Sequence, residues 1–170
     1  DEAVLAEAGE LNGVPEKRLF SDLDEAVGAV AADVLVCITP LAVHLEHTSA
    51  GMRAGLDVIV EKPLATTMED ARAMAEVARE TGRLLSVSQQ YRYRPVTWAL
   101  NRQVQRGAIG EIGQVWLDFY KGWYFKDSDF RRRMADPLLA DMAIHHFDLL
   151  RFITGLEATS VSGESWNPPW

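Results

Sequence analysis

The chain has 170 residues, of which 48% are hydrophobic and 25% charged, and its formal net charge is −8 at pH 7. This composition is typical of a globular protein with one sizeable core or parts of two. The negative charge argues against a nucleic-acid partner, and no apolar stretch approaches the ~20 residues that a membrane-spanning helix needs. The single cysteine, Cys37, excludes a disulfide within this sequence and is interpreted as a buried hydrophobe.

Strand and helix patterns alternate along the first two thirds of the chain. The sequence begins without Met in a helix pattern that Gly13 and Pro15 end, so we expect a piece of a longer protein. The predicted elements that follow are a strand at KRLF, a helix over 22–30 with Ser21 or Asp22 as N-cap, a strand at ADVLVCI, a helix over 41–54, a strand at LDVIVE, a helix over 68–81 on a Thr66/Glu69 capping box, a strand at RLLSVSQ and a helix over 96–106. Such alternation with short loops predicts a parallel sheet, and the continuous apolar run Val58–Val60 predicts a strand covered on both faces.

The pattern changes after Gly110. The segment EIGQVWLDFYKGWYF alternates apolar and polar residues, which predicts an antiparallel strand with one covered face. A helix over 137–154 and a second alternating strand at ATSVSGESW follow. We therefore predict an α/β fold in which a parallel sheet in residues 1–110 is followed, in residues 111–170, by the start of an α+β domain with a mostly antiparallel open sheet.

Polar side chains follow three of the predicted parallel strands. They are Thr39-Pro40 with His44 one turn later, Glu61-Lys62-Pro63, and Gln89-Gln90 with Arg92. In an open parallel sheet, ligands bind outside the carboxyl ends of the strands. A lone Glu-Lys pair is most often a surface ion pair of little energetic value, whereas three convergent strand ends favour a cleft. Pro63 would end the strand and direct Lys62 into that cleft.

A second group of polar residues lies in the helix LLADMAIHHFDLLRFITG. Asp141, His145 and Asp148 share one stripe, although apolar residues cover most of the circumference and predict a largely buried helix. An Asp one turn before a His can accept its ring N–H and hold it ready as a general base. The alternatives are a core histidine beside a carboxylate and a metal site. His146 projects roughly 100° from His145, which disfavours shared ligation, so we expect no metal.

These motifs together resemble the glucose-fructose oxidoreductase / inositol dehydrogenase family (Gfo/Idh/MocA), and the resemblance extends along nearly the whole chain. Its marks are Thr39-Pro40 with His44, Glu61-Lys62-Pro63, Gln90-Tyr91-Arg92 and Asp141-x-x-x-His145. The resemblance implies an oxidoreductase that transfers a hydride between NAD or NADP and a secondary hydroxyl or keto group of a sugar, polyol or cyclitol. It implies that Lys62, Asp141 and His145 are catalytic. The positions that it places at the nicotinamide cofactor are Thr39, Pro40, His44, Glu61, Lys62 and Gln90.

The resemblance also implies that residues 1–110 are a partial dinucleotide-binding Rossmann domain and that residues 111–170 begin the substrate domain. A Gly-rich phosphate turn and the residue that selects NAD or NADP are absent from the sequence, so we expect the piece alone to be inactive. We expect the parent to be cytoplasmic, to bind neither nucleic acid nor membrane, and to form a homo-oligomer through the C-terminal domain sheet. The alternatives are a non-catalytic nucleotide or sugar sensor of the same fold, and a scaffold or interaction piece.

Overall fold

A computed structural model describes residues 2–120 and 136–166. The chain divides into two compact units, Asp1–Ser88 and Gln89–Trp170. The helices and strands are α1 (Glu2–Asn12), α2 (Leu23–Ala29), β1 (Val34–Cys37), α3 (His44–Arg53), β2 (Asp57–Val60), α4 (Met68–Thr81), β3 (Leu85–Val87), α5 (Pro95–Gln105) and α6 (Ile144–Thr154). Within the described ranges, none of these helices combines the length and the hydropathy that crossing a membrane requires.

The first unit contains a parallel three-stranded sheet in the order β1-β2-β3. Cys37 pairs with Val60, and Val60 pairs with Val87, so the carboxyl ends of the three strands lie in register. Helices α3 and α4 cover one face, where the core consists of Cys37, Met52, Val58, Val60, Met74 and Val77. This arrangement confirms the predicted parallel α/β sheet, and it sets the strand ends side by side.

The prediction that the middle strand is covered on both faces is wrong. Val58 and Val60 are buried, but Ile59 between them is 42% exposed, and its neighbour Val36 on β1 is also exposed. Successive side chains of a strand point to opposite faces. The helices cover the face of Val58 and Val60, and Ile59 therefore lies on the open face. A continuous apolar run does not by itself distinguish these two environments.

The predicted strand at KRLF is also wrong. Glu16–Arg18 forms a single 3₁₀ turn in which Arg18 donates its backbone N–H to the carbonyl of Pro15 at 2.8 Å, and Leu19 and Phe20 belong to no strand. Proline at the start of the segment fixes a backbone angle that suits such a turn. Residues 41–43, which the sequence predicts as the start of the following helix, form another 3₁₀ turn before α3.

Helix caps follow the sequence closely, with one shift of position. Asp22 caps α2 by accepting the backbone N–H of Glu25 at 2.9 Å, as predicted for one of two candidates. Helix α4 has the predicted bounds, but its N-cap is Thr67 and not Thr66, because Thr67 is the last extended residue and its Oγ1 accepts the N–H of Asp70 at 3.0 Å. Gly82 ends α4 in the left-handed conformation, with φ 65°.

We expect Thr67→Ala to lower the free energy of unfolding by about 1 kcal/mol, the usual loss of a threonine cap. Thr66→Ala is the matched control, since Thr66 is equally exposed and only reaches the Asp70 carboxylate at 3.5 Å. Denaturant titration of both variants measures the difference. An equal loss in Thr66→Ala would mean that the capping residue is assigned wrongly.

In the second unit, a 3₁₀ turn over Gln90–Tyr93 leads to α5, which packs against α6. Asn101 Nδ2 donates to the Phe152 carbonyl at 2.7 Å, and the Trp98 and Phe152 rings meet edge to face at 5.5 Å. The helix predicted over 137–154 exists, as a π-helical turn (Leu138–Ala143) continued by α6. It is less buried than predicted, since Leu139 and Phe147 are exposed. Its buried side chains are Asp141, Met142 and His145.

The two alternating strands predicted after Gly110 are not found in the described residues. Residues 111–120 and 158–166 have no strand, and Val115, Leu117 and Phe119 are exposed. The remainder of the first prediction, 121–125, lies outside the described residues. A strand needs a neighbour to satisfy its backbone N–H and C=O groups, and the described part of this unit supplies none. The alternation of apolar and polar residues in these two segments is therefore not sufficient for a strand to form.

Candidate active site

The carboxyl edge of the sheet brings the predicted strand-end residues of the first unit together. The ladder continues beyond the strands, because Glu61 donates its N–H to the Cys37 carbonyl at 2.9 Å and Ser88 donates to the Val60 carbonyl at 2.8 Å. Thr39 and Lys62 therefore follow neighbouring strands at one edge. Thr39, Glu61 and Lys62 are half-buried, and Pro40 is exposed. This is the edge at which ligands bind in open parallel sheets.

His44 links the two loops at this edge from within the core. Its ring is only 2% exposed; Nε2 lies 3.0 Å from the Thr39 carbonyl oxygen, and Nδ1 lies 3.1 Å from that of Pro63 and 3.2 Å from that of Leu64. Carbonyl oxygens only accept, so the imidazole donates to one loop in either neutral tautomer and to both when it is protonated. His44 is thus placed to hold the loop after β1 against the loop after β2. Its predicted role at the cofactor stays a prediction.

Side-chain contacts also involve Thr39 and Glu61. Thr39 Oγ1 lies 3.3 Å from Cys37 Sγ and 3.4 Å from His47 Nδ1. Glu61 Oε2 accepts the backbone N–H of Lys62 at 3.2 Å, so its carboxylate binds the main chain at this point. The Lys62–Pro63 peptide bond is cis. The backbone around Lys62 is therefore held from both sides, by Glu61 and by the bonds of His44 to the following loop.

In the second unit, the side chains of Gln89 and Tyr91 contact the His145 ring, and we call this arrangement the cage around His145. The ring is 2% exposed, its Nδ1 lies 3.1 Å from Gln89 Oε1, and the Tyr91 ring stacks on it with centroids 4.2 Å apart and planes inclined by 10°. The Arg94 guanidinium lies 3.7 Å from the Tyr91 ring centroid. Because one face cannot hold both groups at these distances, Tyr91 carries the imidazole on one face and the cation on the other. The contacts with Gln89 and Tyr91 define the plane of the His145 ring.

An ion pair fastens the turn that carries Tyr91 to α6. Arg92 donates from Nε to Asp148 Oδ2 at 2.7 Å and from Nη2 to Oδ1 at 2.6 Å. The hydrogen bond to Asp148 raises the pKa of the Arg92 guanidinium. A bidentate pair of this kind gives geometric specificity as well as energy. Asp148, which the sequence placed on the stripe of His145, therefore binds Arg92.

The remaining predicted residues of this unit have different environments. Asp141 is buried like His145, as expected for two residues on one face, and its catalytic role stays a prediction. Gln90 is exposed at the start of the 3₁₀ turn. Burial lowers the pKa of His146, whose ring lies 4.8 Å from that of Phe119. In residues 2–120 and 136–166, no group of three or more His, Cys, Asp or Glu side chains is arranged to hold a metal ion.

The sequence indicates Gln89 only as a strand-end residue, and it predicts that Asp141 orients His145. The structure adds Gln89 and Tyr91 as direct neighbours of the His145 ring. The available signal was the position of Gln89, two residues after the end of β3, where a polar side chain at the ligand edge is informative. Stacking of Tyr91 on His145 had no sequence signal, because the two residues are 54 positions apart.

Comparisons with known proteins identify the family of the chain. A family model described as an oxidoreductase family with an NAD-binding Rossmann fold matches residues 2–89, and a GFO/IDH/MocA C-terminal domain model matches residues 97–168. The chain is 33% identical to D-glucoside 3-dehydrogenase of Escherichia coli, over 87% of this chain and 43% of that protein. It is 32% identical to 1,5-anhydro-D-fructose reductase of Ensifer adhaerens, over 89% of this chain and 46% of that protein.

A solved structure with the same fold is an inositol dehydrogenase homolog from Azotobacter vinelandii complexed with NADH and myo-inositol. It matches with a TM-score of 0.80 at 24% identity, over 91% of this chain and 43% of that one. The chain thus spans less than half the length of these curated relatives and of this structure. Because the two family models together match most of its length, the chain belongs to the Gfo/Idh/MocA family of NAD-binding oxidoreductases.

Proposed function

We propose that the protein carrying this chain transfers a hydride between NAD or NADP and a secondary hydroxyl or keto group of a sugar, polyol or cyclitol. The observation that carries the proposal is the cage around His145. A buried imidazole with a fixed ring plane and one nitrogen engaged by Gln89 is suited to accept a proton from a substrate hydroxyl. The relatives named above act on a glucoside and an anhydro-sugar, and one structure contains myo-inositol. These names support the substrate class.

The strand-end residues of the first unit fit the nicotinamide end of such a cofactor. The buried His44 ring is hydrogen-bonded to the carbonyls of Thr39 and Pro63. The side chains of Thr39, Glu61 and Lys62 stay partly accessible. A hydroxyl, a carboxylate and an ammonium group suit a polar ring and its ribose. We assign Thr39, Pro40, Glu61 and Lys62 of this unit, and Gln90 of the second unit, to this role; the place of His44 at the cofactor stays a prediction. The bound nicotinamide would supply the acceptor or donor of the hydride.

The chain's own residues would then handle the proton and the charge. In the oxidation direction, the substrate hydroxyl transfers its proton to His145 while the carbon that bears this hydroxyl loses a hydride, and a ketone results. Lys62 stabilises the negative charge that develops on the oxygen. Asp141 orients the imidazole or the substrate hydroxyl. In the reduction direction, His145 returns the proton to the oxygen. General acid–base catalysis of this kind contributes about 10²–10⁴-fold to the rate.

A nicotinamide absorbance assay of the natural gene product that carries this chain tests the proposal. Purified protein is mixed with NAD⁺ or NADP⁺ and a panel of sugars, polyols and cyclitols, and ethanol serves as an alcohol without a secondary hydroxyl. We expect reduced nicotinamide to form with at least one member of the panel and not with ethanol. Binding of NAD(H) without turnover on the panel would support a nucleotide-binding sensor. Absence of both binding and turnover would support a scaffold.

A further inference from the structure

We infer that Gln89 is a positioning residue that holds His145 in the tautomer with the proton on Nδ1, so that Nε2 is the basic nitrogen. The inference rests on the proposed function for the role of that nitrogen in catalysis. It assigns no catalytic step to Gln89 itself. It also makes Tyr91 the residue that fixes the plane in which His145 presents Nε2.

The tautomer follows from the acceptor that His145 meets. Gln89 Oε1, at 3.1 Å from Nδ1, is a carbonyl oxygen and can only accept a hydrogen bond. With this orientation of the amide, Nδ1 donates the hydrogen bond. A neutral imidazole has a single N–H, so Nε2 carries the lone pair that can take a proton. The other tautomer would set two lone pairs against each other in a site that is nearly closed to water.

The backbone of Gln89 is held by the turn that follows it. Its backbone carbonyl accepts the N–H of Arg92 at 3.0 Å and thereby closes the 3₁₀ turn over Gln90–Tyr93. Arg92 in turn holds the Asp148 carboxylate with two hydrogen bonds. Asp148 lies three residues after His145 on α6. The same ion pair thus connects the turn that follows Gln89 to the helix that carries His145.

Tyr91 restricts the remaining freedom of the imidazole. With ring planes inclined by only 10° and centroids 4.2 Å apart, rotation of the His145 ring about its bond to Cβ would break the stack. The same rotation would move Nδ1 away from Gln89 Oε1. Arg94 on the other face of Tyr91 holds that ring in place. The two contacts therefore select one ring orientation and one tautomer together.

The test is a nitrogen-15 spectrum of the histidine side chains in the natural gene product, at a pH where His145 is neutral. Its signals are assigned by their loss in His145→Gln. We expect Nδ1 at the shift of a protonated ring nitrogen and Nε2 at that of an unprotonated one. The reverse pattern in the wild-type protein would overturn the inference, because it would mean that the Gln89 amide presents its NH₂ group.

Variants of Gln89 provide a second test of the inference. Gln89→Glu keeps an acceptor oxygen and should keep the Nδ1–H tautomer. Gln89→Leu removes the acceptor, so the Nε2–H form should appear and kcat should fall about tenfold or more, with a smaller change in the cofactor dissociation constant. Gln103→Leu, at an exposed position of α5, is the matched control and should change neither the spectrum nor kcat. An unchanged tautomer in Gln89→Leu would overturn the inference.

The spectrum and the turnover assay separate this inference from the proposed function. If Nδ1 carries the proton and Gln89→Leu shifts it, the positioning role of Gln89 holds even where no sugar or polyol is turned over, and only the proposed function fails. If turnover occurs and the wild-type spectrum shows Nε2–H, the proposed function holds and the role of Gln89 fails. Where Gln89→Leu does not fold, the wild-type and Gln89→Glu spectra still decide.

Discussion

His145→Ala is expected to lower kcat by about 10²–10⁴-fold, the usual contribution of a general base, in the natural gene product that carries this chain. The cofactor dissociation constant should stay nearly unchanged, because the role proposed for the imidazole is at the reacting hydroxyl and not at the dinucleotide. Steady-state kinetics with a substrate from the screen and a fluorescence titration with NAD(P)H measure the two quantities. Near-normal turnover would transfer the role of the base to another residue.

His146→Ala is the matched control for this prediction. The two histidines are adjacent on α6, but His146 is half-buried against Phe119, whereas His145 is buried between Gln89 and Tyr91. We therefore expect His146→Ala to change kcat much less. A loss of equal size in both variants would indicate general damage to the helix. Lys62→Ala supplies the contrast within the proposed site, since it should lower kcat and also raise the cofactor dissociation constant.

The parallel sheet and the helix bounds could be predicted because their signals are local. The Thr66/Glu69 capping box and Gly82 predict helix α4 at its observed bounds, although the cap differs by one residue. Strands after Gly110 could not be predicted in the same way, because a strand depends on a partner strand at any distance along the chain. Ile59 shows a related limit, since a three-residue apolar run does not reveal which face of its sheet is covered.

The candidate site shows the same division between local and distant information. Strand-end positions such as Thr39 and Lys62 followed directly from the ends of apolar runs. The contacts of His44 did not, since they join its ring to carbonyls 19 and 20 residues later in the chain. Every residue has a backbone carbonyl, so the residue types do not indicate which carbonyls a side chain contacts. A histidine that meets only carbonyl oxygens therefore cannot be distinguished by sequence from one that faces a ligand.

The geometry of His44 leads to the second large expected effect, which concerns stability. His44→Ala should lower the free energy of unfolding by about 2–5 kcal/mol, the range for changes that leave a cavity and buried polar groups without partners. The imidazole fills a fully buried position in α3, and the carbonyls of Thr39, Pro63 and Leu64 would lose their common contact. Denaturant titration of the protein without cofactor measures the loss directly.

His47→Ala is the control, because His47 lies one turn further along α3, is half-buried and makes one long contact, 3.4 Å, to Thr39 Oγ1. We expect it to cost about 1 kcal/mol or less, the value of a single hydrogen bond. Should His44→Ala fail to fold, His44→Asn retains a side-chain donor and should show an intermediate loss. If His44→Ala instead keeps wild-type stability and only raises the cofactor dissociation constant, the ring serves the ligand directly. In that case the loops that carry Thr39 and Lys62 are held by other contacts, and the hydrogen bonds of His44 contribute nothing measurable to the free energy of unfolding.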